Sequence, residues 1–196
     1  MKTSTVFVFA LSCAATLAGA MRPSIGLPEG YRLTNLTWTG NITEDGPEMK
    51  FTGVDLRDID AQILKANPNF TWPKTNTTDV ADGKAWLTCD PNNIWYAQAF
   101  RIEEGIQYLK DRHGTGKCTM DAGPRVCTRI SCSYKSAIHW CNDNSVPIEE
   151  NCMLWNHYAQ NILDVCRSND AANRVRGQKF SAANWNILVG FDDDHC

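Results

Sequence analysis

The side chains in this sequence with the means to do chemistry are four histidines, at 113, 139, 157 and 195, and the charged groups near them. One constellation has a reaction attached to it. His139 with Glu104 and Arg129 would suit ribonuclease-like acid/base work, in which a carboxylate and an imidazole exchange protons with a ribose hydroxyl while a guanidinium holds the phosphate. Glu103-Glu104 reads more simply as the exposed face of a helix, and His139 as a partly buried strand imidazole. His113 beside Arg112 fits a capping role at a helix C-terminus, where the dipole stabilises a cation. His157 fits a solvated helix flank. Asp192-Asp193-Asp194-His195 offers oxygen and nitrogen ligands, but neighbouring side chains in an extended segment alternate in direction, so a solvated acidic tail is expected. The leading expectation is no catalytic residue, no metal and no cofactor.

Motifs with a fixed chemistry are missing. The chain has no Gly-x-Ser-x-Gly elbow, no His-Glu-x-x-His, no Cys-x-x-Cys and no dinucleotide-binding glycine fingerprint. Gly114-Thr115-Gly116-Lys117-Cys118 has the form of a phosphate-loop tail but ends on Cys instead of Ser/Thr and lacks a glycine at 111. Between Gly105 and Trp140, Lys110, Arg112, Lys117, Arg125, Arg129 and Lys135 outnumber Asp111 and Asp121; solvent faces of a helix and a hairpin account for them without nucleic acid.

Compartment follows from the N-terminus. Lys2 precedes an apolar run from Val6 to Leu17 that closes on Ala18-Gly19-Ala20, a signal-peptidase pattern, so residues 1–20 read as a signal peptide. The run is too short for a bilayer core of roughly 30 Å, and no second run could span one. A secreted, extracellular protein is expected. Removing the leader takes Cys13 away and leaves an even set: Cys89, Cys118, Cys127, Cys132, Cys141, Cys152, Cys166 and Cys196. In an oxidising compartment that set is a disulfide framework of up to four bridges, with the pairing left open. The spacing Cys127-x4-Cys132 disfavours zinc.

Two segments of different character follow the leader. Residues 21–83 lack cysteine and hold four glycosylation sequons, at Asn35, Asn41, Asn69 and Asn76, so they read as a mostly irregular, glycosylated surface extension. Within it, Asp55–Ala66 places Leu56, Ile59, Ile63 and Leu64 on one helical face. A soft boundary falls at Asp82-Gly83, and 84–196 forms the disulfide-rich core. There, 84–88 reads as a strand; Asp90-Pro91 as a helix start; Ala99, Ile102, Ile106 and Leu109 as its buried stripe, up to His113-Gly114. Gly105 costs about 1 kcal/mol against Ala in a helix interior and marks close packing. Alternation over 126–134 and 137–141 gives a hairpin about Lys135-Ser136, whose register decides which of His139 and Trp140 faces inward. Trp155, Tyr158, Ala159, Ile162, Leu163 and Cys166 form a second helical stripe, and 184–191 a last strand. The order β-α-β-β-α-β predicts an α+β sandwich of the ferredoxin-like split type.

Of seven tryptophans, Trp86, Trp140, Trp155 and Trp185 are expected in the core. Trp38 and Trp72 adjoin sequons, and their exposure would mark a stacking platform. The stretch Arg129-Ile-Ser-Cys-Ser-Tyr-Lys-Ser-Ala-Ile-His-Trp-Cys-Asn-Asp-Asn144, with Gly105–Leu109 before it and Arg176–Phe180 and Trp185–Val189 after it, resembles a group of small secreted cysteine-rich proteins of filamentous fungi. That group is loosely similar to killer toxins and necrosis-type effectors. The resemblance implies a monomeric effector or toxin-like protein acting on an extracellular or host partner. A small secreted hydrolase built on His139, Glu104 and Arg129 is the alternative.

Overall fold

In the computed structural model, which describes residues 26–73, 86–112, 116–152, 154–193 and 196, the apolar periodicities of the sequence become elements and the segments between them add more. In chain order the elements are β1 (Arg32–Leu33), β2 (Leu36–Asn41), β3 (Glu48–Gly53), α1 (Leu56–Ala66), β4 (Trp86–Thr88), β5 (Ala97–Gln98), α2 (Ala99–Asp111), β6 (Lys117–Met120), β7 (Val126–Ser133), β8 (Ser136–Asn142), β9 (Ile148–Asn151), α3 (Trp155–Cys166), β10 (Arg174–Val175), β11 (Gly177–Phe180) and β12 (Trp185–Phe191). The class is α+β. The leader, Asn76, Asp82-Gly83, His113 and His195 lie outside the described residues.

The main sheet runs β1-β7-β8-β12-β11-β4. Its centre is the hairpin of β7 and β8, turned by Tyr134-Lys135 and not by Lys135-Ser136: both turn residues have positive φ, 48° and 60°, as a two-residue turn matched to strand twist requires. One face of the sheet packs on α2 and α3, burying Ile130, Ile138, Trp140, Ile187 and Val189 against Ile102, Ile106 and Ile162. Gly105 permits that approach, since a Cβ there would lie 2.7 Å from Ser131 Oγ. A bulge between Arg129 and Ser131 turns both Ile130 and Ser131 toward the helices and leaves Arg129 opposite His139 on the far face.

Three expectations are corrected here. The strand order is not the split one, which would seat the first strand between the third and fourth. Instead β12 bonds directly to β8, from Trp185↔Asn142 to Phe191↔Ser136, while β4 sits at the edge on β11. The reason is local: Gly177–Phe180, polar and without a clear strand period, makes a short hairpin with β12, and its outer side is the one left open to β4. Second, α2 starts at Ala99 and not at Asp90-Pro91, because the intervening loop crosses to the far face, where Ile94 is buried and Arg176 bonds both its carbonyl and Asp90. Third, the extension holds more than one short helix. β2 and β3 form a hairpin that joins β6 and β9 in a four-stranded sheet, β1 runs parallel to β7, and α1 packs beside α2. Trp38, at 2% exposed, lies in the same core as Ile106 and Leu109; of the α1 stripe only Leu64, at 48%, faces solvent.

The eight cysteines of 84–196 form four disulfides: Cys89–Cys166, Cys118–Cys152, Cys127–Cys141 and Cys132–Cys196. Each contributes about 2–4 kcal/mol, mainly by restricting the unfolded chain. The last one ties the final residue to β7. No helix among the described residues is long and apolar enough to cross a membrane. The sequon residues Asn35, Asn41 and Asn69 are all exposed.

The far face of the sheet is covered by residues 26–33 and by Ile94, with Leu27 and Leu188 around the Cys127–Cys141 bridge. Beside them Tyr31 Oη donates to Asp143 Oδ1 at 2.9 Å, Asn186 donates to Asp143 Oδ2, and Gln178 donates to Asn186. Burial first, then the Asp143 charge, pushes the Tyr31 phenol up from 10.0 to about 12. The native state therefore keeps a proton that the unfolded chain releases above pH 10, and the stability this contributes is lost as pH rises from about 10 to 12. Alkaline denaturation of Tyr31→Phe should lack that loss over the same interval, with tyrosinate absorbance as the second readout.

Candidate functional site: an aromatic and arginine surface beside a buried charge cluster

Strand register brings Arg129 and His139 together, as the sequence allows, but not with Glu104. The far face is the reason. Arg129 and His139 point away from the helices, whereas Glu104 sits on the solvent side of α2, bonded to Arg101 at 2.8 Å, so the sheet separates them. Their partner is Asp192, just past β12. Asp192 Oδ2 accepts from Arg129 Nε at 2.8 Å, lies 2.7 Å from Arg129 Nη2 as an ion pair and is 3.0 Å from His139 Nε2. The acidic-tail expectation fails at this residue, which is 1% exposed; Asp193 does lie at the surface, paired with Lys135.

His139 is 0% exposed, and its Nδ1 is enclosed without a hydrogen-bond partner, which puts the ring proton on Nε2, toward Asp192. A general base has to reach the proton it takes. This ring is sealed from solvent, so the cluster's role is to clamp the end of β12 across β7 and β8. Most of the basic residues between 105 and 140 are likewise engaged within the chain: Arg112 with Asp60, Lys117 with Glu149, Lys135 with Asp193. Glu103 pairs with Arg167 across α2 and α3. Among the described residues no group of three His, Cys, Asp or Glu is arranged to hold a metal.

Next to the clamp the surface is aromatic. Trp95 is 62% exposed and Tyr134 72%, and Tyr96 and Phe100 are exposed beside them. Four elements hold these rings in place: the β7–β8 turn carries Tyr134, the loop before β5 carries Trp95 and Tyr96, the first turn of α2 carries Phe100, and β12 ends with Phe191. Backbone bonds lock them together, Phe191 N to Trp95 O at 2.9 Å and Asp192 N to Lys135 O at 3.0 Å. Cations lie over the rings. The Arg101 guanidinium is 3.9 Å from the Tyr134 ring centre and 4.6 Å from Phe100; Arg176 and Arg174 lie 4.4 and 5.2 Å from Tyr96; Trp95 packs on Phe191 at 5.8 Å.

Each cation also has a carboxylate, Arg101 with Glu104, Arg174 with Asp170, Arg176 with Asp90 and Lys135 with Asp193. The surface is thus no funnel for a polyanion. It is a rigid apolar and guanidinium-rich platform, in which stacking on exposed rings contributes about 0.5–1 kcal/mol per pair. Sequence reasoning missed it. Trp95-Tyr96, two adjacent aromatics one residue after the turn residues Asn92-Asn93, was the available signal. The tryptophans flagged instead point the other way: Trp38 is core and Trp72 half-buried against it, while Trp86, expected inside, is 62% exposed on edge strand β4, stacked on Phe180. No family model, curated protein or solved structure matches the chain.

Proposed function

We propose that this chain is a secreted, cysteine-rich protein of the fungal effector or toxin-like kind, acting by binding an extracellular or host partner through the Trp95, Tyr96, Phe100 and Tyr134 surface. The observation that carries the reading is the gathering of these exposed rings, with stacked arginines, on a disulfide-braced frame. Soluble proteins rarely leave such a surface uncovered without a use for it. Trp, Tyr and Arg are also the residues that dominate binding energy at interface centres. Four bridges and the leader pattern support export, and the motif from Arg129 to Asn144 supports the fungal cysteine-rich group. The hydrolase reading keeps one support, the contact of Arg129 and His139 through Asp192, and lacks a route from solvent to the ring.

Labelled protein incubated with intact cells and with isolated cell walls tests the proposal. Saturable adsorption is expected, and Trp95→Ser and Tyr134→Ser should each weaken it by about 2 kcal/mol, roughly 30-fold, at unchanged melting temperature. Equal adsorption by both variants would remove this surface from the function.

A further inference from the structure

At the opposite end of α2, about 16 Å from Arg101 along the helix axis, α1 and the segment after it leave a cleft of about 240 Å³. Phe70 and Trp72 line it. The two rings meet edge to face at 5.3 Å, and Trp72 in turn rests edge-on against the buried Trp38 at 5.7 Å. Asp111 and Arg112, the last residue of α2 and its cap, line the cleft too.

The guanidinium is held by Asp60 and by the Tyr108 ring, which are bonded to each other. Arg112 Nε is 2.9 Å from Asp60 Oδ2, its carbon is 4.7 Å from the Tyr108 ring centre, and Tyr108 Oη donates to the same Asp60 oxygen at 2.5 Å. A third of the Arg112 side chain remains open to solvent. Asp111 receives Gln107 Nε2 at 2.9 Å and is otherwise exposed.

We infer that this cleft is a subsite for a single pyranose ring, separate from the Trp95 and Tyr134 surface. Charge narrows the ligand class. An anion would face the Asp60 and Asp111 carboxylates, a cation would face Arg112, and an apolar ligand would cover all three without hydrogen-bonding any of them. A sugar ring has a C–H face for Phe70 and Trp72 and hydroxyls that both donate, to Asp111, and accept, from Arg112. The volume lies below the roughly 300–1,000 Å³ usual for drug-sized ligands, which fits one ring and not an oligosaccharide. The arginine and both aromatic rings are already fixed, so little ordering cost falls on binding.

The test is saturation-transfer NMR on the enzymatically deglycosylated full chain, because a glycan at Asn69 would start one residue before Phe70 and could fill the cleft itself. Glucose, galactose, mannose and N-acetylglucosamine are offered separately at about 10 mM, since one small ring should bind in the millimolar range. At least one should receive saturation, strongest on its ring C–H protons, and its dissociation constant should rise about tenfold in Arg112→Gln and in Asp111→Asn. Asp111 is a surface residue, so the second variant keeps the fold; near-UV circular dichroism verifies both. No transfer to any of the four sugars, or transfer unchanged in both variants, overturns the subsite. Neither result bears on the Trp95 and Tyr134 adsorption experiment.

Discussion

Asp192→Ala should destabilise the protein by about 3–5 kcal/mol, the cost of removing one partner of a buried ion pair. The carboxylate accepts a hydrogen bond from Arg129 Nε, forms an ion pair with Nη2 and bonds His139 Nε2, in a region where all three residues are almost closed to solvent. Removing it takes a carboxylate away from a guanidinium and an imidazole that are almost closed to solvent, which is costlier than losing one surface hydrogen bond. A residue of a solvated tail would instead change stability by no more than about 0.5 kcal/mol. Urea denaturation separates the two cases through the midpoint at constant slope. Adding Arg129→Met to Asp192→Ala should recover part of the loss, because the pair is then replaced as a whole and not broken from one side. A double-mutant cycle reads that coupling directly. An Asp192→Ala variant within 1 kcal/mol of the parent would show that the clamp contributes little.

Legibility in the sequence followed the range of each signal. Helical and strand periods are local, so α1, α3, β7, β8 and β12 could be read from spacing within a residue or two. The even cysteine set implied bridges without implying their partners, since a bridge reports on distance in space. Strand order depends on which strands pair across the chain, and Gly177–Phe180 carried no period to announce that it would stand between β4 and β12. Arg129 and His139 were singled out for chemistry and do meet, yet the side of the sheet on which they meet depends on the bulge at Ile130. Neither that bulge nor the burial of Asp192 beyond β12 has a sequence pattern of its own. Exposure of Trp95 and Tyr134 was equally hidden, because an aromatic residue in a loop or turn reads as core until the neighbouring elements are placed.

A chain that begins at residue 84 should fail to reach a cooperatively folded state, although it keeps all four disulfides. The segment it lacks supplies Leu36, Trp38, Ile42, Leu56, Ile59 and Ile63, each buried against the rest of the core. At about 1.5–3 kcal/mol for each buried side chain, their loss is of the same size as the whole stability of an ordinary domain, about 5–15 kcal/mol. Pairing fails with packing: β6 loses β2, β7 loses β1, and Asp60 no longer holds Tyr108 and Arg112. The disulfides restrict the unfolded chain without replacing apolar contacts, so a compact state that binds a hydrophobic dye and lacks near-UV dichroism is the expected product. Trp38→Ala in the full chain gives the graded version, a loss of about 3–5 kcal/mol from one large cavity. The glycines beside that ring explain why it should not close, since a Cβ at Gly116 would stand 1.9 Å from Trp38 Nε1 and at Gly40 2.5 Å from its ring, so the backbone there is shaped to the indole. If the truncated chain unfolds cooperatively within about 2 kcal/mol of the full one, the segment is a detachable surface arm after all, and proteolytic removal could release a working core.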